Sequence, residues 1–279
     1  HPNVVPVHEM GISHGRPFFT MDIARGKSLA TWLSEGKQGD YQRLGDFLEI
    51  LKKVVDALDY AHSRGVLHCD LKPANIMVGE FGEVYLMDWG GAQLLLQIAK
   101  SGDDEDAVTD RLPPLPEQAT EGKIFGTPSY MAPEQSKGDP PDPRWDIFSI
   151  GAIIYNYITG KSPFNASDPM LAWARCQRCD YEPLKEKEYK SVLPLELLHL
   201  VEHCMAKNPG DRFENISALK NALSRIIRGG ITFPVVEFAK GTEVIRQGAS
   251  DKAAYIVQSG KLEAYQTEGD KRLSLRILK

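Results

Sequence analysis

The chain has 279 residues, 42% of them hydrophobic and 25% charged, which is the composition of a globular protein with one large domain or two smaller ones. A formal net charge of -5 argues against nucleic acid as a partner, and no apolar run approaches the ~18 residues that cross a bilayer. The amino terminus, HPNVVPVHEM, has no basic or apolar signal-peptide region and no initiator methionine, so it reads as cut from a longer chain and not as a secretory leader. The four cysteines (Cys69, Cys176, Cys179 and Cys204) are too few for a disulfide framework. Reduced thiols and a cytoplasmic location are therefore expected. Cys176 and Cys179 form a single CxxC with no second ligand pair, so helix-surface or half-buried thiols are expected there in preference to zinc.

In chain order, VVPV and PFFTMDI read as two short strands around a turn at residues 13–15. Residues 45–62 repeat apolar side chains at three- and four-residue spacing (Phe47, Leu48, Leu51, Val54, Val55, Leu58), which predicts a helix stopped by Gly65. Residues 76–78 and 83–86, joined by a turn at 79–82, predict a hairpin. Residues 100–123 are acidic and then proline-rich and read as a mobile loop. Residues 146–159 are apolar on nearly every side, as in a buried helix, and Gly160 ends the run. Two amphipathic helices follow near 194–206 and 216–227. RGG at 228–230 marks a linker, with a domain boundary at 228–235. The segments TEVIRQG, AAYIVQSG, KLEAYQTE and RLSLRIL then read as short strands punctuated by glycine.

One stretch, VLHCDLKPANIMV at residues 66–78, concentrates polar side chains between apolar ones. Asn75 with Asp88 makes a hard-oxygen pair suited to Mg²⁺, and Asp70 with Lys72 adds a base and a cation. These are the parts phosphoryl transfer needs. On spacing alone the cluster reads more readily as an exposed polar turn, where Asp, Lys, Pro and Asn are all common.

Five motifs in order change that weighing. HCDLKPAN resembles the H-R-D-L-x-x-x-N catalytic loop of protein kinases, and MDWG stands in the place of D-F-G. GTPSYMAPE at 126–134, DIFSIG at 146–151 and KNPGDRF at 207–213 resemble the end of the activation segment, the buried-helix motif and the late arginine motif. Residues 1–227 thus resemble serine/threonine kinases of the bacterial, eukaryotic-like type. The implied fold is α+β and protein-kinase-like, mainly the helical C-lobe with two N-lobe strands.

The resemblance implies roles by position. Asp70 would accept the proton of a Ser or Thr hydroxyl on a protein substrate, Lys72 would sit against the transferred phosphate, and Asn75 and Asp88 would hold Mg²⁺. Thr127 would hydrogen-bond near Asp70 and Lys72. In FFTMDIARG, Met21 would be the gatekeeper, the backbone of Asp22 and Ala24 would meet the adenine of ATP, and Met77 would floor the pocket. His68, Trp89 and Asp146 would be structural, and Glu134 would pair with Arg212. Cys69 replaces the usual Arg and cannot make a charge-assisted pair with a phosphorylated loop, so activity is expected not to depend on phosphorylation at Thr109 or Thr120. No Gly-rich loop, strand Lys or helix Glu is found, so this stretch alone is expected to bind ATP weakly and to turn over little.

FAKGTEVIRQGASDKAAYIVQSGKLEAY is similar to the first strands of cyclic-nucleotide-binding domains. The resemblance implies a partial β-roll over 236–279, with Gly241, Gly248 and Gly260 at turns. A cyclic nucleotide or other small ligand of the completed domain is then a possible partner, and the kinase would be its output. The alternatives are a pseudokinase scaffold that binds partners without transferring phosphate and a ligand-sensing regulatory protein.

Overall fold

An antiparallel hairpin of β1 (Val7–Ser13) and β2 (Arg16–Met21) opens the computed structural model, which describes residues 1–36, 41–95, 127–189, 193–228, 238–245, 257, 260–268 and 271–278. Ser13 pairs with Arg16, and the two residues between them, His14 and Gly15, take positive φ angles of 50° and 74°. This two-residue turn matches the twist of the strands. The first strand begins later than VVPV suggests. Pro6 has no amide to give to a ladder, and its carbonyl instead accepts from the Asp22 amide at 3.3 Å. Residues 3 and 4 pair elsewhere. The Leu86 amide donates to the Asn3 carbonyl at 2.8 Å, and Val4 bridges Leu86.

β3 (Lys27–Ser28) leads into α1 (Leu29–Ser34), a short helix that the sequence pattern does not reveal. Ser28 caps it, with its hydroxyl accepting from the Thr31 amide. The long helix α2 (Leu44–Ser63) follows the predicted period, and Phe47, Leu48, Leu51, Val54, Val55 and Leu58 are all buried. β4 (Val66–Leu67) pairs with β7 (Gln93–Leu94). Between them β5 (Ile76–Val78) and β6 (Val84–Leu86) form the expected hairpin, and β3 extends it to the order β3-β5-β6. The two β-ladders therefore bracket residues 68–75 and 87–92 at one edge of α2.

α3 (Arg144–Thr159) is buried along most of its length. It packs against α6 (Leu195–Cys204) at Gly151, where a Cβ would lie 2.6 Å from Cys204 Cβ and 2.7 Å from Met205 Cγ. Only glycine permits that approach. The ring of Phe47 stacks on Tyr157 at 4.0 Å, joining α2 to α3 in the core. α4 (Pro169–Arg178) was not foreseen, although its start signals are legible: Asp168 accepts from the Met170 amide, and Pro169 occupies the first helical position. α5 (Glu186–Tyr189) is a single turn, and α7 (Ile216–Arg228) lies along α2 with Lys220 Nζ 2.9 Å from both Asp56 and Asp59.

The chain divides into two compact units, His1–Ile231 and Thr232–Lys279. In the second, β8 (Leu262–Glu268) and β9 (Lys271–Leu278) form an antiparallel ladder with an irregularity between Ala264 and Tyr265. The strand expected at 242–248 is not formed at 242–245. There the chain turns on Gly241 (φ 89°), and the Thr242 amide is given to the Ala239 carbonyl. Residues 246–248, most of AAYIVQSG, and the loop expected at 100–123 lie outside the described residues.

Candidate active site

Asp70 leaves the loop after β4 with its carboxylate fully engaged. Oδ1 accepts from the Thr127 amide at 3.0 Å and from the Thr127 hydroxyl at 3.2 Å. Oδ2 accepts from Lys72 Nζ at 2.6 Å and from Asn75 Nδ2 at 3.3 Å. Lys72 also donates to Thr127 Oγ1 at 2.8 Å, and Asn75 Nδ2 donates to the Asp70 carbonyl at 2.8 Å. Asp70, Lys72, Asn75 and Thr127 are thus one hydrogen-bonded knot, made across 57 residues of chain. The exposed polar turn that spacing alone allowed is not what forms: Asn75 is 6% exposed, and the Asp70 and Lys72 side chains are 15% and 22% exposed.

Asn75 spends its amide nitrogen on Asp70, which leaves its Oδ1 as an oxygen donor. Its carbonyl accepts from the Met87 amide at 2.8 Å, so the next residue, Asp88, emerges at the same end of the hairpin. Asp88 is exposed and in the left-handed conformation (φ 59°). An amide oxygen and a carboxylate at one strand end suit a hard, oxygen-seeking cation such as Mg²⁺. Among the described residues no group of three or more His, Cys, Asp or Glu side chains forms a site of the zinc type. Cys176 is fully buried, with Sγ 3.3 Å from the Met131 carbonyl, while Cys179 is half-buried. Cys176 is therefore no surface thiol: it sits on the face of α4 turned toward the segment after Thr127.

His68 donates from Nε2 to the Met87 carbonyl at 2.9 Å, and its Nδ1 accepts from the Asp70 amide at 3.3 Å. The ring lies 4.7 Å from that of Trp89, whose Nε1 donates to the Leu86 carbonyl. His68 and Trp89 thus clamp the loop to the segment that carries Asp88.

The loop is also anchored from below by α3. Asp146 is 1% exposed, and it accepts from the His68 amide on Oδ2 and from the Cys69 amide on Oδ1, both at 2.9 Å. Burial alone would raise its pKa. The hydrogen bond from His62, the electrostatic pull of the His62 and His68 rings and the His68 amide outweigh burial and hold the group below the ordinary 3.8. Cys69 sits in the left-handed region (φ 64°), and its carbonyl accepts from Gln135 Nε2 at 2.6 Å. Burial, then the negative charges of Asp146 and Asp70, push the Cys69 thiol well up, so it stays neutral. Thr109 and Thr120 lie outside the described residues.

Glu134 and Arg212 form a buried, two-pronged ion pair at 2.7 and 2.8 Å. The remaining Arg212 donors go to the carbonyls of Ala206, Arg144 and Lys207, and its guanidinium lies 4.9 Å from the Phe148 ring. With every donor satisfied, the buried charges cost little and fix the segment after Thr127 against α3.

Met21, Asp22 and Ala24 line a cleft of about 430 Å³ at the end of β2. Among the described residues the Ala24 amide takes no backbone partner, whereas the Asp22 amide is given to Pro6. The Asp22 side chain pairs with His8 at 2.7 Å. Met77 is half-buried and is not among the lining residues; its cross-strand partner Tyr85 is. Two tethers were not foreseen, His62 and Gln135. Both act on the loop through chain-distant contacts and carry no local motif.

The knot around Asp70, the clamp on Asp88 and the Glu134–Arg212 pair together are the architecture of a protein kinase catalytic region. The chain belongs to the protein kinase domain family, which matches residues 1–223. It is similar to the serine/threonine-protein kinase PknD of Chlamydia trachomatis, 32% identical over 246 residues that cover 82% of this chain and 26% of that protein. The PknD proteins of Protochlamydia amoebophila and Chlamydia pneumoniae are 30% and 31% identical, each over 82% of this chain. The chain spans about a quarter of the length of these relatives. Among the described residues no helix is long and apolar enough to cross a membrane.

Proposed function

We propose that the protein carrying this chain transfers the γ-phosphoryl group of ATP to Ser or Thr hydroxyls of protein substrates in the cytoplasm. The observation that carries this reading is the knot of Asp70, Lys72, Asn75 and Thr127. In the reaction the substrate oxygen forms a bond to the γ-phosphorus, the bond to the bridging oxygen of ADP breaks, and the hydroxyl proton passes to Asp70. Lys72 is already within reach of both Asp70 and Thr127 and stands ready to neutralise charge on the moving phosphoryl group. Thr127 holds the Asp70 carboxylate in one orientation. Asn75 Oδ1 and Asp88 would hold Mg²⁺, which when bound offsets the charge of the phosphates. The cleft at Met21, Asp22 and Ala24 would receive the adenine, with the Ala24 amide as donor.

The test is transfer of labelled phosphate from ATP·Mg²⁺ to a basic protein by the intact protein. Asp70→Asn and Asp88→Ala should each lower the rate about a hundredfold or more. Equal rates in wild type and both variants would sink the enzyme reading and leave the pseudokinase scaffold.

Residues 1–227 are read as the kinase domain, 228–235 as a linker and 236–279 as the start of a cyclic-nucleotide-binding-like domain that regulates it. In support, Gly241 and Gly260 occupy left-handed positions (φ 89° and 93°) and an antiparallel hairpin follows. Cyclic AMP or cyclic GMP should raise the melting temperature of the intact protein; no shift at millimolar nucleotide counts against this ligand.

A further inference from the structure

Cys69, the residue before Asp70, holds a left-handed backbone (φ 64°) that an L side chain seldom adopts. Asp146 engages the His68 and Cys69 amides and leaves the Cys69 carbonyl to another partner. That partner is Gln135, whose Nε2 donates to the carbonyl at 2.6 Å in the buried interior. The nitrogen of the same peptide unit is the Asp70 amide, which donates to His68 Nδ1 at 3.3 Å. The unit is therefore held at both ends, and its plane sets the direction in which the Asp70 side chain leaves the backbone.

Gln135 is 4% exposed and opens a single 3₁₀ turn, Gln135–Lys137. Methionine or leucine would fill such a space without burying a polar group. What glutamine adds is a donor for a carbonyl that lies outside any strand or helix. Its support is also fixed. The preceding residue, Glu134, is locked by Arg212, and Thr127, eight residues earlier in the same segment, donates to Asp70 Oδ1. Lys72 and Asn75 cannot give such a reference, because they sit on the loop with Asp70 and would move with it.

We propose that Gln135 is a positioning residue for phosphoryl transfer, which fixes the peptide plane between Cys69 and Asp70 and so registers the base on the segment that supplies Thr127. This rests on the kinase reading above. No step of the reaction passes through Gln135.

The test uses Gln135→Met and Gln135→Asn in the intact protein. Methionine keeps the length and has no donor; asparagine keeps the amide and is one methylene too short. In either variant kcat should fall about ten- to a hundredfold, with KM for ATP within about threefold. In an Asp70→Asn background the same substitutions should change the residual rate by less than about twofold, because the group they aim is already gone. Amide hydrogen exchange at Asp70 should quicken about tenfold or more, while the Gly79 amide in the β5–β6 turn, which donates to Glu83, keeps its wild-type rate. Equal losses with and without Asp70, or unchanged exchange at Asp70, would overturn the proposal. Either variant decides it if the other fails to fold. The exchange readout needs no activity, so a wild type that matches Asp70→Asn defeats the kinase reading and leaves the Gln135 tie still decided.

Discussion

His68, Cys69 and Asn75 of the catalytic loop are 0%, 5% and 6% exposed, whereas Met10, Ile12 and Phe19 of the β1–β2 hairpin are 77%, 77% and 61% exposed. Both regions contribute to the proposed nucleotide site, yet they are held in opposite ways. The hairpin is set by neighbours in sequence, through a two-residue turn and a short ladder. The loop makes little regular structure of its own and is set by Asp146, Gln135 and Thr127, all more than fifty residues away. A locally closed element localises damage, while a remotely anchored one is sensitive to changes far along the chain.

The sharpest challenge to this contrast is Arg212→Ala, which strands Glu134 in the interior. A loss of about 3–5 kcal/mol is expected. For a unit of this size that is a fall of about 6–20 °C in a circular-dichroism melt. A shift under 2 °C would mean that the segment after Thr127 is not held from a distance. A second test is acid. The pKa of Asp146 is depressed in the folded state, so its contribution to stability is present above its ordinary 3.8 and is lost as pH falls below that value. Urea midpoints taken from pH 5 downward should drop, and Asp146→Asn should drop less over the same span; parallel curves would remove Asp146 from the account.

Smaller effects follow. Thr109→Ala with Thr120→Ala should leave the transfer rate within about twofold, since neutral Cys69 offers no charge for a phosphate to engage. A tenfold loss would show that the loop is governed by modification after all. Least of all, Ile12→Thr on the hairpin surface should change stability by about 0.5 kcal/mol or less. A larger cost would show that this face is packed in solution and end the contrast.

The same contrast explains what could be read from the residues alone. α2, α3 and the β5–β6 hairpin announce themselves because their periods are local: Phe47 through Leu58 repeat on one face, and the glycines of 79–82 bracket a turn. The knot at Asp70 was legible only through the resemblance of whole motifs, because the contact from Thr127 crosses 57 residues. α1 escapes the sequence pattern because it is a helix of fewer than two turns held by its Ser28 cap, and α4 because its mixed polar face hides a buried side that includes Ala172 and Cys176. VVPV was read three residues too early because Pro6 breaks the ladder it seemed to begin. His62 left no trace in sequence, since a lone histidine in an amphipathic helix looks like any other polar position.

Asp146 has a further consequence, in time. The His68 amide meets its acceptor only after 78 more residues have been made. At ribosomal speeds of about 5–20 residues per second, that separates the two by roughly 4–16 s. Until α3 arrives, the His68 and Cys69 amides lack their Asp146 acceptor, so the loop that presents Asp70 gains its anchor from below only when the middle helix docks.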